Sequence, residues 1–164
     1  MVGVAANLSA MHELVELHRF NAWANRTLLA GVRQLEPGQL RERREGMYNT
    51  VLGVMTHLAG VELGYLGLMR SEPFEPPSGD LDEVERALEQ AGEGLVDLAR
   101  TGPLDATFLV PWLDRGLTVS QGLRQVLTHS INHRADVNQW LPLFGLPSVG
   151  TNYLDLVLAE SQTR

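Results

Sequence analysis

Apolar residues return in alternating steps of three and four along most of the chain, the period of helices that bury one face. In the first such stretch, from about Ala10 to Leu35, the stripe is Leu14, Leu17, Asn21, Ala24, Leu28, Gly31 and Leu35. Ser9 stands as its N-cap and the Pro37-Gly38 pair as its stop. A second helix is predicted from about Thr50 to Arg70, capped by Asn49 and ended by the linker that carries Pro73, Pro76-Pro77 and Ser78-Gly79. The third begins near Asp80, where Asp80 and Glu83 have capping-box spacing, and runs to about Arg100, before Gly102-Pro103. Its flanks carry many carboxylates, the pattern of a partly solvated helix. The fourth spans about Val119 to Leu141, with Thr118 and Gln121 at capping-box spacing and a seam of Leu123, Val126, Ser130, His133, Val137, Trp140 and Phe144. Pro142 ends or kinks it, and a short last helix from about Asn152 to Glu160 is expected to lie across the bundle end. Strand signals are confined to Phe108-Leu109-Val110 and Leu117-Thr118-Val119, which flank Asp114-Arg115-Gly116 as in a short hairpin; Pro111 restricts any strand there to an edge.

Four long amphipathic segments with compact connections predict an all-α fold, an up-down four-helix bundle with a short additional C-terminal helix. At 164 residues the chain is read as one domain, residues 1–164, large enough to bury a core without staples. It has no cysteine, which excludes a disulfide framework, a thiolate metal site and a cysteine nucleophile. All thirteen basic residues are arginine, so Schiff-base chemistry and a lysine base are excluded as well. A net charge of −7 argues against nucleic acid or an anionic membrane as the main partner. No secretory signal and no uninterrupted apolar run of spanning length are read, and a cytoplasmic location is expected.

Histidine is the residue type left with the most to say. His129 and His133 are four apart in the fourth helix, so both imidazoles stand on one face and can reach one ion. His133 also falls on the core seam, where an unpaired polar ring is costly. Ser130 occupies the place where a zincin helix has glutamate, so that protease motif is absent. His57 lies mid-way along the second helix among apolar residues, with Gly53, Gly60 and Gly64 on its stripe. Each mid-helix glycine costs about 1 kcal/mol relative to alanine, so the stripe points to close packing or to a pocket opening onto the His57 ring; the pocket is the expectation. His57, His129 and His133 together form a candidate site for zinc, nickel or iron(II), with coordination positions left open for water or substrate. Imidazole binds metal only when neutral, so affinity is expected to fall as the pH drops through roughly 6.5. Asp136 shares the face of His129 and His133 and is placed to orient a ring, while Glu62 is expected at the site rim; either can pair instead with an arginine such as Arg134. His12 and His18 are read as surface or helix-end residues, and Tyr48, Tyr65 and Tyr153 as core or rim aromatics.

These segments, in this order, resemble the DinB/YfiT-like family. The run from Leu17 to Leu29, with Trp23-Ala24-Asn25 at its core, resembles its opening segment. His57-Leu58-Ala59-Gly60-Val61-Glu62 resembles its second-helix histidine with a following acid. His129-Ser130-Ile131-Asn132-His133-Arg134 resembles its His-x-x-x-His-Arg signature, followed by the Leu143-Phe144-Gly145-Leu146-Pro147 turn. The resemblance implies a bundle, usually a homodimer, with a divalent metal on His57, His129 and His133. Some relatives are thiol-dependent transferases or isomerases that use bacillithiol or mycothiol, others are described as metal-dependent hydrolases, and many have no known activity. The chain departs from the family in Ala135-Asp136, where Gly-Gln is common after His-Arg, and in Pro142, which interrupts a helix end that is usually continuous.

Three functions follow. A metal-dependent S-transferase would activate the thiol of a low-molecular-weight cosubstrate toward a small electrophile. A metal-dependent hydrolase would need a general base near the metal, for which Glu62 and Asp136 are the candidates. A non-enzymatic metal-binding or stress-response module would use its metal mainly to hold the bundle. No individual catalytic side chain is singled out.

Overall fold

A computed structural model describes residues 2–45 and 48–162, with side chains from residue 11 onward. Four long helices form the core: α1 (Val2–Val32), α3 (Val51–Arg70), α4 (Leu81–Thr101) and α5 (Val119–Trp140). Around them lie the one-turn α2 (Pro37–Leu40), a hairpin of β1 (Thr107–Leu109) and β2 (Gly116–Thr118), a 3-10 turn at Leu141–Phe144 and α6 (Tyr153–Ser161). The result is the expected all-α bundle. In the hairpin Phe108 stands opposite Leu117, with Pro111 beyond the end of β1, off the ladder.

Helix boundaries follow side chains that satisfy free backbone groups. Thr118 Oγ1 accepts from Gln121 N–H and the Gln121 side chain accepts from Thr118 N–H, which starts α5. Asp80 starts α4 by accepting from Asp82 and Glu83 N–H, but the Glu83 carboxylate turns to Ser78 N–H instead of closing a capping box. For α3 the cap is Thr50, whose Oγ1 accepts from Gly53 N–H at 2.8 Å, rather than Asn49, which takes a left-handed φ of 37° one residue earlier. α1 also differs from its expected start: it already runs at Val2, so Ser9 lies inside the helix and is no cap. Ala5 and Ala6 before it are the strongest helix formers, and they carry the helix past the serine. At its other end α1 stops at Val32, and Pro37 occupies the first turn of α2, a position that proline's fixed φ favours.

The core is aliphatic. Leu28, Val32, Val51, Met55, Leu58, Leu95, Leu123 and Val137 are almost wholly removed from water. Each such side chain contributes about 1.5–3 kcal/mol relative to an exposed one. α3 is long and apolar enough, by length and composition, to cross a membrane, yet most of it is buried between α4 and α5, as the central helix of a bundle is. α4 is the amphipathic opposite: Val84, Leu88, Ala91, Leu95 and Leu98 face inward, with Glu89, Glu93 and Asp97 in solvent.

The 71–80 linker returns along α3, so α3 and α4 run in the same direction instead of alternating in the expected up-down order: Arg70 at the end of α3 bonds Asp97 near the end of α4. This return path explains the glycine stripe. A β-carbon at Gly64 would stand 3.2 Å from the Phe74 ring, and one at Gly67 only 2.9 Å from the Glu72 carbonyl. Gly60 faces Pro76. At Gly60 and Gly64 the stripe is therefore a seat for the linker, whereas Gly53 faces the Tyr48 backbone beside His57. α6 also departs from expectation. Asn138 binds both the N–H and the carbonyl of Val149, which turns the chain back along α5. α6 then lies on the flank of α1, with the Tyr153 ring edge-on to Phe20 at 5.6 Å, rather than across the bundle end.

Candidate metal centre

His57 on α3 meets His129 and His133 on α5, because the two helices run antiparallel and place residues 57 and 129–133 at one level. His57 Nε2 and His129 Nε2 are 3.0 Å apart. The ring centroids of His133 lie 4.9 Å from His57 and 4.4 Å from His129. One nitrogen from each ring falls within 4.8 Å of the other two, a grouping able to hold a metal ion. The three residues singled out from the sequence are thus brought together.

Charge and hydrogen bonding suit that use. Burial, reinforced by the neighbouring His133, lowers the pKa of His57 to about 4. Burial, then His133 and His57, lowers that of His129 to about 4. Both rings are neutral at pH 7 and present lone pairs, and they remain so below the pH of roughly 6.5 expected from free imidazole. His133 Nδ1 pairs with Asp136 Oδ2 at 3.2 Å, which leaves its Nε2 for the centre. A carboxylate so placed can fix the tautomer and orientation of a histidine that binds metal through its other nitrogen. Two neutral imidazoles whose Nε2 atoms meet at 3.0 Å can share one proton or jointly face a cation. A third ring beside them makes the cation the better fit to the donor set.

Tyr48 completes the wall. Its ring stacks on His57 at 3.7 Å between centroids, tilted by 17°, and stands edge-on to His133 at 5.5 Å. It belongs to the site rather than to a generic rim, and nothing in its sequence context marks it, because it lies in the loop before α3. Gly53 lets that loop come close: a β-carbon there would stand 2.5 Å from the Tyr48 carbonyl. A cleft of about 470 Å³ opens beside His57, with Arg41, Tyr48, Gly53, Thr56 and Gly79 on its walls and no carboxylate among its lining residues.

Two expected positions change. Glu62 does not reach the rim. It is fully buried, and its Oε1 accepts from Asn21 Nδ2 at 2.8 Å, Asn25 Nδ2 at 2.9 Å and Ser130 Oγ at 2.6 Å. Arg134 is buried beside it and donates from Nη1 to Asn21 Oδ1 and Asn25 Oδ1, at 2.6 and 2.7 Å. Its guanidinium lies 5.6 Å from the Phe20 ring centre. Burial lowers the Arg134 pKa to about 10, with Glu62 opposing the shift, so it stays charged at pH 7. The other change is His18, which is 1 % exposed in the interior instead of at the surface. Burial lowers its pKa to about 4, offset only in part by the Leu123 backbone. His12 is exposed, Tyr65 is buried edge-on to Phe108, and Tyr153 is exposed, as rim and core readings allow. The interior roles of Asn21 and Asn25 had one visible signal, two amides four apart on a helix that is otherwise apolar on that side.

Compared with known proteins, the chain matches the family model described as DinB family over residues 9–164. No curated protein matches it at a significant level.

Proposed function

The chain belongs to the DinB family, and from that premise we propose that it is a metal-dependent S-transferase that joins a low-molecular-weight thiol to a small electrophile. His57, His129 and His133 would hold the divalent ion, whether zinc, nickel or iron(II). When bound, that ion supplies Lewis acidity, lowering the pKa of a group brought to it.

The observation that carries the reading is the placement of the carboxylates. A hydrolase needs a base on the open side of the centre, and neither candidate is available there. Glu62 is sealed in the interior by three donors, and Asp136 is engaged on the far nitrogen of the His133 ring. A thiol depends less on such a base than water does, because its free pKa of about 8.5 lies far below that of water and its proton passes to solvent once that pKa is lowered further. The cleft beside His57 carries Arg41 and no acid, which suits a thiol cosubstrate bearing a carboxylate. Tyr48 covers one face of His57 and limits the approach of water from that side. We propose as well that the protein is a cytoplasmic homodimer, and the exposed Leu154, Val157 and Leu158 of α6 support the dimer as a face that a second copy would cover.

The test is incubation of metal-loaded protein with monochlorobimane and, in turn, cysteine, glutathione, bacillithiol and mycothiol. The carbon–sulfur bond forms as chloride leaves and the thiol proton goes to solvent, so fluorescence reports transfer. Metal-dependent acceleration with at least one thiol, abolished by a chelator, is expected. Rates equal to the uncatalysed reaction with all four thiols would overturn the transferase reading.

A further inference from the structure

Immediately after each metal-candidate histidine of α5 comes a buried polar residue: Ser130 after His129 and Arg134 after His133. We propose that these two residues, with Glu62, Asn21 and Asn25, form a clamp that positions the metal centre rather than a polar cluster that merely supports the fold. The inference rests on the three-histidine metal reading.

The connectivity is closed. Ser130 Oγ donates to Glu62, Glu62 accepts from both Asn21 and Asn25, and the carbonyl oxygens of those two amides accept from Arg134. Ser130 and Arg134 are four apart, so one face of α5 is fixed at two heights. Glu62 sits five residues after His57 on α3. Both ligand-bearing helices are thereby tied to α1, which supplies no ligand and acts as a back-plate.

Geometry shows what the ties control. Successive residues on a helix are turned by about 100°, so the ligands and the anchors lie on adjoining faces. A ring nitrogen about 6 Å from the helix axis moves about 2 Å when the helix turns by 20°. That is a whole metal–nitrogen bond length, about 2.0–2.1 Å for zinc. Apolar packing between α3 and α5 resists such a rotation weakly, since leucine and valine contacts are non-directional, whereas a hydrogen bond of 2.6 Å is lost by it. Energetics point the same way. A buried carboxylate and a buried guanidinium that meet only through two amides stabilise a fold no better than apolar side chains of equal volume. What the network supplies is orientation.

The experiment is cobalt(II) titration of the full chain, read by visible absorption and dissociation constant, beside a thermal melt. It compares wild type, Ser130→Ala, Asn25→Ala and a remote core control, Leu95→Val. Loss of outer-layer partners typically weakens metal binding 10- to 100-fold. A weakening of about that size is expected in both clamp variants, with an altered absorption band, while Leu95→Val keeps the wild-type affinity and band at a similar loss of melting temperature. Wild-type affinity and spectrum in Ser130→Ala and Asn25→Ala would overturn the clamp. So would an equal loss of affinity in Leu95→Val, which would mark the effect as general destabilisation. A wild-type protein that binds no cobalt would instead overturn the metal reading itself, and the clamp with it.

Discussion

Neutral imidazoles recur in the interior of this molecule, and each makes the fold sensitive to acid. His18 is the clearest, because it is buried away from the metal centre and its pKa falls to about 4. In the unfolded chain it titrates near 6.5, so between pH 6.5 and 4 the unfolded state binds the extra proton. Stability is therefore full above about 6.5 and is lost as the pH falls toward 4, by an amount on the order of 3 kcal/mol for this group. Urea unfolding at pH 7.5 and 4.5 should show a smaller loss in His18→Leu than in wild type; equal losses would remove His18 from the account. His57, His129 and His133 could be picked out from the sequence because helical spacing alone sets two of them on one face. His18 could not, since the first helix is covered by α4 on one side and α5 on another and buries far more than one stripe. Glu62 was misplaced for a related reason: five residues from His57 is more than a full helical turn away from it, toward the interior.

α3 shows how a connection can decide what a helix face is for. Of its three striped glycines, Gly60 and Gly64 read from sequence as space for a ligand, but the returning linker takes that space, and Gly53 alone lies at the cleft beside His57. Two substitutions separate these uses. At Gly60 an added methyl group meets Pro76 at an ordinary 3.8 Å, so Gly60→Ala should gain up to about 1 kcal/mol of helix propensity and raise the melting temperature. At Gly67 the methyl would stand 2.9 Å from a backbone carbonyl, so Gly67→Ala should lower the melting temperature despite the same propensity gain. Matching shifts in both variants would contradict the seat. Helix starts marked by local chemistry, such as Thr118 with Gln121 and the Asp80 cap, were legible because the partners are within three residues. The path of the ten-residue linker or of α6 was not, because contacts with distant helices determine it.

Across the whole molecule, three helices meet at the site: α3 and α5 bring three histidines to one point, and Asn21 and Asn25 of α1 bond to Glu62 of α3 and Arg134 of α5 behind them. The bundle itself was legible, since four long amphipathic segments leave few other ways to bury their stripes. The polar interior was not, because Ser130 pairs with Glu62 and Arg134 with Asn21 and Asn25, partners more than sixty residues apart. The central claim is that the three histidines form one metal centre. Elemental analysis of the tag-free protein, with His57→Ala and His133→Ala beside it, tests this most directly. About one equivalent of zinc, nickel or iron in the wild type, lost in both variants while their far-ultraviolet circular dichroism stays helical, is the predicted result. No metal in the wild type even after reconstitution, or full retention in either variant, would contradict it.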